Sequence, residues 1–168
     1  MSNPANVLPD EIRRAKWPHE IFLINLVFNH ILVFASTFGV YSTFPLMVLV
    51  VPLTSIAITA YIFFKARTIA ASSETPLVKA HWAVADRRNK HFMLLLAAAA
   101  VLGGGGYMLA KLAGWSNVAM IAILGGGSLL PFMVSLLVLI VLGNHSMYEA
   151  RHNKMPKGYG PAGQPGNG

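Results

Sequence analysis

A chain of 168 residues with a net charge of +7 is long enough for one modest soluble domain, but its composition excludes one. Hydrophobic residues make up 55% and charged residues 11%, against about 25% charged in a typical soluble domain, so there is too little polar surface to face water. The absence of cysteine removes disulfides, thiolate nucleophiles and thiolate metal or iron–sulfur sites.

The first 20 residues carry Pro4, Pro9, Pro18 and both charge signs. They lack the apolar core and small-residue cleavage site of a signal peptide. Pro9-Asp10-Glu11 followed by Arg13, Arg14 and Lys16 predicts a short helix, with acids at its positive end and bases at its negative end. Four long apolar runs follow: Ile21 to Tyr41, Pro45 to Phe64, Phe92 to Leu109 and Val118 to Leu142. Each is near or above the roughly 20 helical residues that cross a bilayer's hydrocarbon core. None shows two-residue alternation, and in lipid only helices or closed barrels satisfy every backbone group. The expected fold is therefore all-α: an integral membrane four-helix protein built from two transmembrane hairpins.

Charge placement predicts the threading. Arg13, Arg14 and Lys16 precede the first run, and Lys65, Arg67, Lys79, Arg87, Arg88 and Lys90 lie between the second and third. Arg151, Lys154 and Lys157 follow the fourth, and of the other connections only one holds a base, Lys111. Basic residues stay on the cytoplasmic side, so both termini and the middle loop are expected there, with anionic headgroups as their partner rather than nucleic acid. Trp17 and Tyr148 fall near the inner boundary, and Tyr41, Tyr107 and Trp115 near the outer one, where aromatic belts form.

This divides the chain into a cytoplasmic segment 1–20, a first hairpin 21–64, a cytoplasmic loop 65–91, a second hairpin 92–143 and a cytoplasmic tail 144–168. Tight outer turns are expected at Ser42-Thr43-Phe44 and around Gly114-Trp115-Ser116. In the loop, Thr75 is placed to cap a helix with Pro76 at its first position. Leu77, Ala80 and Val84 then share one face, opposite Lys79, Ala83, Asp86 and Lys90, which suggests an interfacial helix running into the third span. The Gly/Pro-rich tail from Pro156 cannot build a core and is expected to be disordered.

Candidate chemistry inside the spans is sparse. Apart from tyrosines, His30 is their one ionisable residue, about 13 Å deep by helical rise. Asn25, Asn29 and Ser36 share a helix face beside it, with Thr37 near. A proton relay, a substrate contact or a metal or haem ligand is one reading. A neutral imidazole hydrogen-bonded to a neighbouring helix is the plainer one. Haem b needs two imidazoles at one depth. No second histidine matches His30, and His91 with His145 could share only the charged boundary.

Further polar residues in the spans are Ser55, Thr59, Ser128 and Ser135. Ala99, Gly103, Gly104, Gly105 and Gly106 in the third span, with Gly125, Gly126 and Gly127 in the fourth, read as helix-packing faces. No Lys-Ser/Thr follows the glycines, so a phosphate-binding loop is excluded. Glycine also weakens a helix, so a break at Gly103–Gly106 stays open. Pro52 and Pro131 are expected to kink their helices.

No carboxylate lies in a span, which argues against hydrolysis or group transfer. The leading expectation is a non-catalytic subunit, assembly factor or scaffold of a larger bacterial inner-membrane complex, without cofactor, contacting other subunits or itself. The alternatives are a small oligomeric transporter or channel using His30, and a haem b membrane anchor.

Overall fold

A computed structural model describes residues 9–36 and 43–159, and among them every regular element is a helix. Four helices are long and apolar enough to cross a membrane: α1 (Pro9–Ser36), α2 (Val50–Ala71), α3 (Pro76–Leu112) and α4 (Asn117–Arg151). The described residues are thus all-helical, with four helices consistent with a multi-pass membrane protein. Thr37, Tyr41 and Ser42 lie outside the described residues, as do Pro4 and the tail beyond Tyr159.

The helices are longer than their apolar runs. The short helix expected before Ile21 is continuous with the first span, and Pro18 sits inside it, fully buried. From Ile24 to Val33 the winding widens to a π-helix. Pro52 causes no interruption in α2, because it stands in the first turn after a 3₁₀ stretch at Pro45–Leu49, where a missing N–H leaves no helical bond unmade. Pro131 has a visible consequence. It cannot donate to the carbonyl four residues back, and the segment just before it, Ile123–Leu129, is π-wound.

Helix α3 runs without a break through Gly103–Gly106. Thr75 forms no side-chain cap; its carbonyl accepts the Lys79 N–H at 3.0 Å, and its hydroxyl has no hydrogen-bond partner among the described residues. Between α3 and α4, Gly114 adopts φ +70°, a left-handed conformation that glycine takes without penalty. The Trp115 N–H reaches the Ala110 carbonyl at 3.0 Å and the Gly114 N–H that of Lys111 at 3.2 Å, which closes the helix end. Ser116 then starts α4, its hydroxyl accepting the Ala119 N–H at 3.3 Å.

The structure divides into two compact units. Unit 1 (Met1–Asn89 with Ile140–Gly168) has a core of Ala15, Ala66, Ile69, Leu77, Val78, Trp82 and Ala150, with Met155 packed against it. The face of Leu77, Ala80 and Val84, expected against lipid, is buried in protein, because α1, α2 and the end of α4 offer it an apolar partner. Unit 1 also contains a close approach that its sequence does not advertise. A Cβ on Gly143 would meet Leu23 Cδ2 at 2.9 Å, so this glycine is the space into which Leu23 packs.

In unit 2 (Lys90–Leu139), Gly103 faces Ser128 and Gly106 faces Ile123, each with 2.9 Å to the nearest side-chain atom from a built Cβ. The Phe92 and Phe132 rings pack tilted at 38°, with 6.4 Å between centroids. A Cβ built on Gly104, Gly105, Gly125, Gly126 or Gly127 would meet no atom outside its own stretch of helix within 4 Å.

Candidate functional site

Two polar groupings occupy the interior of unit 1. The first lies within the apolar run of α1 and joins it to α2. Asn25, Asn29 and His30 are all buried, although in an α-helix a step of five turns a side chain about 140° away. The π winding reduces that angle, because with i→i+5 bonds each residue turns less and a step of five comes nearer to a full turn. All three side chains therefore face inward. Asn25 Nδ2 donates to Ser55 Oγ at 3.2 Å, and Asn29 Nδ2 donates to Asn25 Oδ1 at 3.1 Å and to the Val51 carbonyl at 2.9 Å. His30 Nδ1 lies 3.0 Å from the Asn25 carbonyl, which only accepts, so Nδ1 carries the proton. These bonds make the grouping a polar clasp between two helices.

The remaining sequence-predicted residues are dispersed. Ser36, Ser128 and Ser135 each bond the carbonyl four residues back, at 2.8, 3.0 and 2.8 Å, so their hydroxyls serve their own helices. Thr59 presents its carbonyl to Asn89 Nδ2 at 3.1 Å, and its buried hydroxyl has no partner among the described residues. His91 is exposed. His145, half exposed, pairs with Glu149 at 3.2 Å. Among the described residues no three His, Cys, Asp or Glu side chains converge on a possible metal position.

The second grouping, at the charged end, was not anticipated. His19 and His81, both fully buried, approach at 3.0 Å from Nε2 to Nδ1, with rings edge-on at 85°. His81 Nε2 is in turn 3.1 Å from the Lys154 carbonyl. That carbonyl can only accept, so His81 carries its proton on Nε2 and presents the Nδ1 lone pair to His19. His19 therefore donates from Nε2, and its Nδ1 holds a lone pair with no hydrogen-bond partner among the described residues.

These histidines lie outside the apolar runs, and burial pushes both below the ordinary imidazole value. For His19 the shift is large, with His81 and Arg88 adding to it. For His81 the Lys154 carbonyl and Glu149 pull upward but do not outweigh burial. Arg88 bonds the Leu142 carbonyl, and Ser146 bonds Glu149 Oε2 at 3.4 Å. Chemically, this chain of imidazoles is neutral near pH 7 and accepts a proton only under acid conditions, against burial and a neighbouring guanidinium.

A helical signal for both histidines is present in the sequence. Ala15, Phe22, Leu26 and Asn29 recur on the buried face of α1, and His19 falls in step with them. His81 stands four residues after Leu77, on the face that continues to Ala85 and Asn89. Their meeting depends on a contact between helices, which periodicity does not predict. Comparison with family models, with curated proteins and with solved structures finds no match.

Proposed function

We propose that this chain is a non-catalytic subunit, assembly factor or scaffold of a larger complex in a bacterial inner membrane. In this reading it is threaded as two hairpins, with both termini and residues 65–91 on the cytoplasmic side. The basic flanks support that threading through the positive-inside bias.

The observation that carries the proposal is the outward surface of unit 2. Gly104, Gly105, Gly126 and Gly127 are exposed, with room for an added Cβ that meets nothing within 4 Å, beside the exposed apolar side chains Val101, Leu102 and Ile121. In the most apolar stretches of α3 and α4 only 11% and 17% of residues are buried by the chain itself. Membrane helices associate by close backbone approach at small residues, and lipid tails fill such a flat strip less well than another helix does. The polar clasp agrees with a structural role, because its side chains join α1 to α2 through short hydrogen bonds.

Purification in mild detergent tests the proposal. A stoichiometric membrane partner, lost on Gly104→Leu or Gly126→Leu while the chain stays folded, is the expected result. His30→Ala should leave the function of the complex nearly intact. A lone homo-oligomer that moves solute across liposomes would overturn the proposal. A Soret band in the purified protein would replace it with the haem reading.

A further inference from the structure

Beside the core of unit 1, on its charged end, lies a cleft of about 460 Å³, within the range of about 300–1,000 Å³ typical of small-molecule sites. Its lining combines three cations, Arg13, Arg14 and Lys65, with three aromatic rings, Trp17, Tyr61 and Trp82. A second hollow of about 370 Å³ shares Arg14 and Lys65 and adds Ser72, Ser73 and Thr75. The residues come from α1, α2, the connection after α2 and the start of α3, so the fold assembles them.

The electrostatics are those of an anion site. One carboxylate, Glu74, also lines the cleft, and it engages Arg14 Nη1 at 3.0 Å. A guanidinium has five N–H donors, so most of Arg14's capacity remains. Arg13 pairs with Asp10 at 3.1 Å, but both side chains are 73% exposed, and such a pair contributes little. Lys65 is exposed and has no ion pair with any described residue. Three cations against one lining carboxylate leave a positive excess.

The aromatic walls identify the source of the anion. Trp17 and Tyr61 are joined by an Nε1 to Oη hydrogen bond of 3.4 Å, yet remain 45% and 44% exposed. They stand where the apolar runs meet the charged flank, the level at which such rings meet glycerol and headgroups. Phe64, one residue before Lys65, is 64% exposed and continues the apolar surface. A free inorganic anion would gain nothing from these walls, whereas a lipid uses both the cations and the rings.

We propose that this cleft binds the phosphate of an anionic glycerophospholipid, with Arg14 and Lys65 as its ligands and Trp17 and Tyr61 flanking the glycerol. Basic pockets between membrane helices bind acidic headgroups by this chemistry. Arg14 supplies a planar fork for two phosphate oxygens, and Lys65 a mobile point charge. The site stands independently of the subunit reading, because it needs no partner protein.

The test uses the full-length protein in detergent, titrated with phosphatidylglycerol or phosphatidylcholine and read by native mass spectrometry, with inorganic phosphate as competitor. Phosphatidylglycerol should bind at a stoichiometry of about one, at least tenfold tighter than phosphatidylcholine, and millimolar phosphate should not displace it. Arg14→Gln and Lys65→Gln should each weaken it about tenfold, while Arg151→Gln changes binding less than twofold. Lys65→Gln disturbs no ion pair, so it reports on the site even if Arg14→Gln loosens the fold through Glu74. Equal losses at Arg151 and Lys65 would reduce the effect to general surface charge, about fivefold per basic residue, and overturn the proposal. Equal binding of the two lipids, or displacement by inorganic phosphate, would also overturn it.

Discussion

Replacing Asn29 with alanine tests whether the clasp between α1 and α2 stabilises unit 1. The substitution removes two hydrogen bonds, to the Val51 carbonyl at 2.9 Å and to Asn25 Oδ1 at 3.1 Å. Polar contacts between membrane helices average about 0.6 kcal/mol and reach about 1.7, so two place the loss at about 1–3 kcal/mol. The lower half of that range is expected. The Val51 carbonyl keeps its place in the α2 ladder, whereas Asn25 Oδ1 is left buried without its donor. We therefore expect about 1–2 kcal/mol, measured by equilibrium unfolding in mixed micelles or by steric trapping of α1 from α2.

Ser36→Ala is the control. Its exposed hydroxyl bonds only the Leu32 carbonyl of its own helix at 2.8 Å, and such substitutions usually stay within about 0.5 kcal/mol. A double-mutant cycle between Asn25→Ala and Ser55→Ala should return a coupling of about 0.5–1 kcal/mol, because the 3.2 Å bond joins that pair directly. If Asn29→Ala and Ser36→Ala prove indistinguishable, the clasp does not hold the helices together and the reasoning fails.

Other consequences follow from the same geometry. Gly103→Ala should destabilise unit 2 by about 1–3 kcal/mol less the helix-propensity gain of about 1, because its Cβ meets Ser128 Oγ at 2.9 Å; Gly104→Ala should only gain. Adding Ser128→Ala should rescue Gly103→Ala, and failure of that rescue by thermal unfolding would locate the strain elsewhere. His19 and His81 lie below their ordinary value when folded, so the unfolded chain binds more protons just below about pH 6.5. Stability is therefore full above that pH and falls as the pH drops from about 6.5 toward the lowered folded values. The double substitution His19→Leu with His81→Leu should flatten this slope in melts between about pH 7.5 and 5, and an unchanged slope would assign it to other groups. Gly143→Leu should disrupt unit 1, since even a Cβ would stand 2.9 Å from Leu23, and a normal melting temperature would show that the helices can part there without loss.

The sequence alone determined the four helices long and apolar enough to cross a membrane, because solvation in lipid depends on the composition of each segment taken by itself. Within α3 it read Gly103–Gly106 together as a packing face and did not separate Gly103 and Gly106, which meet Ser128 and Ile123, from Gly104 and Gly105, which face open space. It also placed Asn25 and Asn29 on one face, and left His30 beside them.

Tertiary structure decided the rest. Winding α1 as a π-helix turned His30 inward, a small change in the turn per residue that no hydrophobic pattern records. The imidazole chain joins residues 62 and 73 positions apart, and Arg14 meets Glu74 across 60. Contacts of that span follow from how helices cross and which flanks fold back. Local chemistry chose the helices, and packing chose which of their polar groups became neighbours.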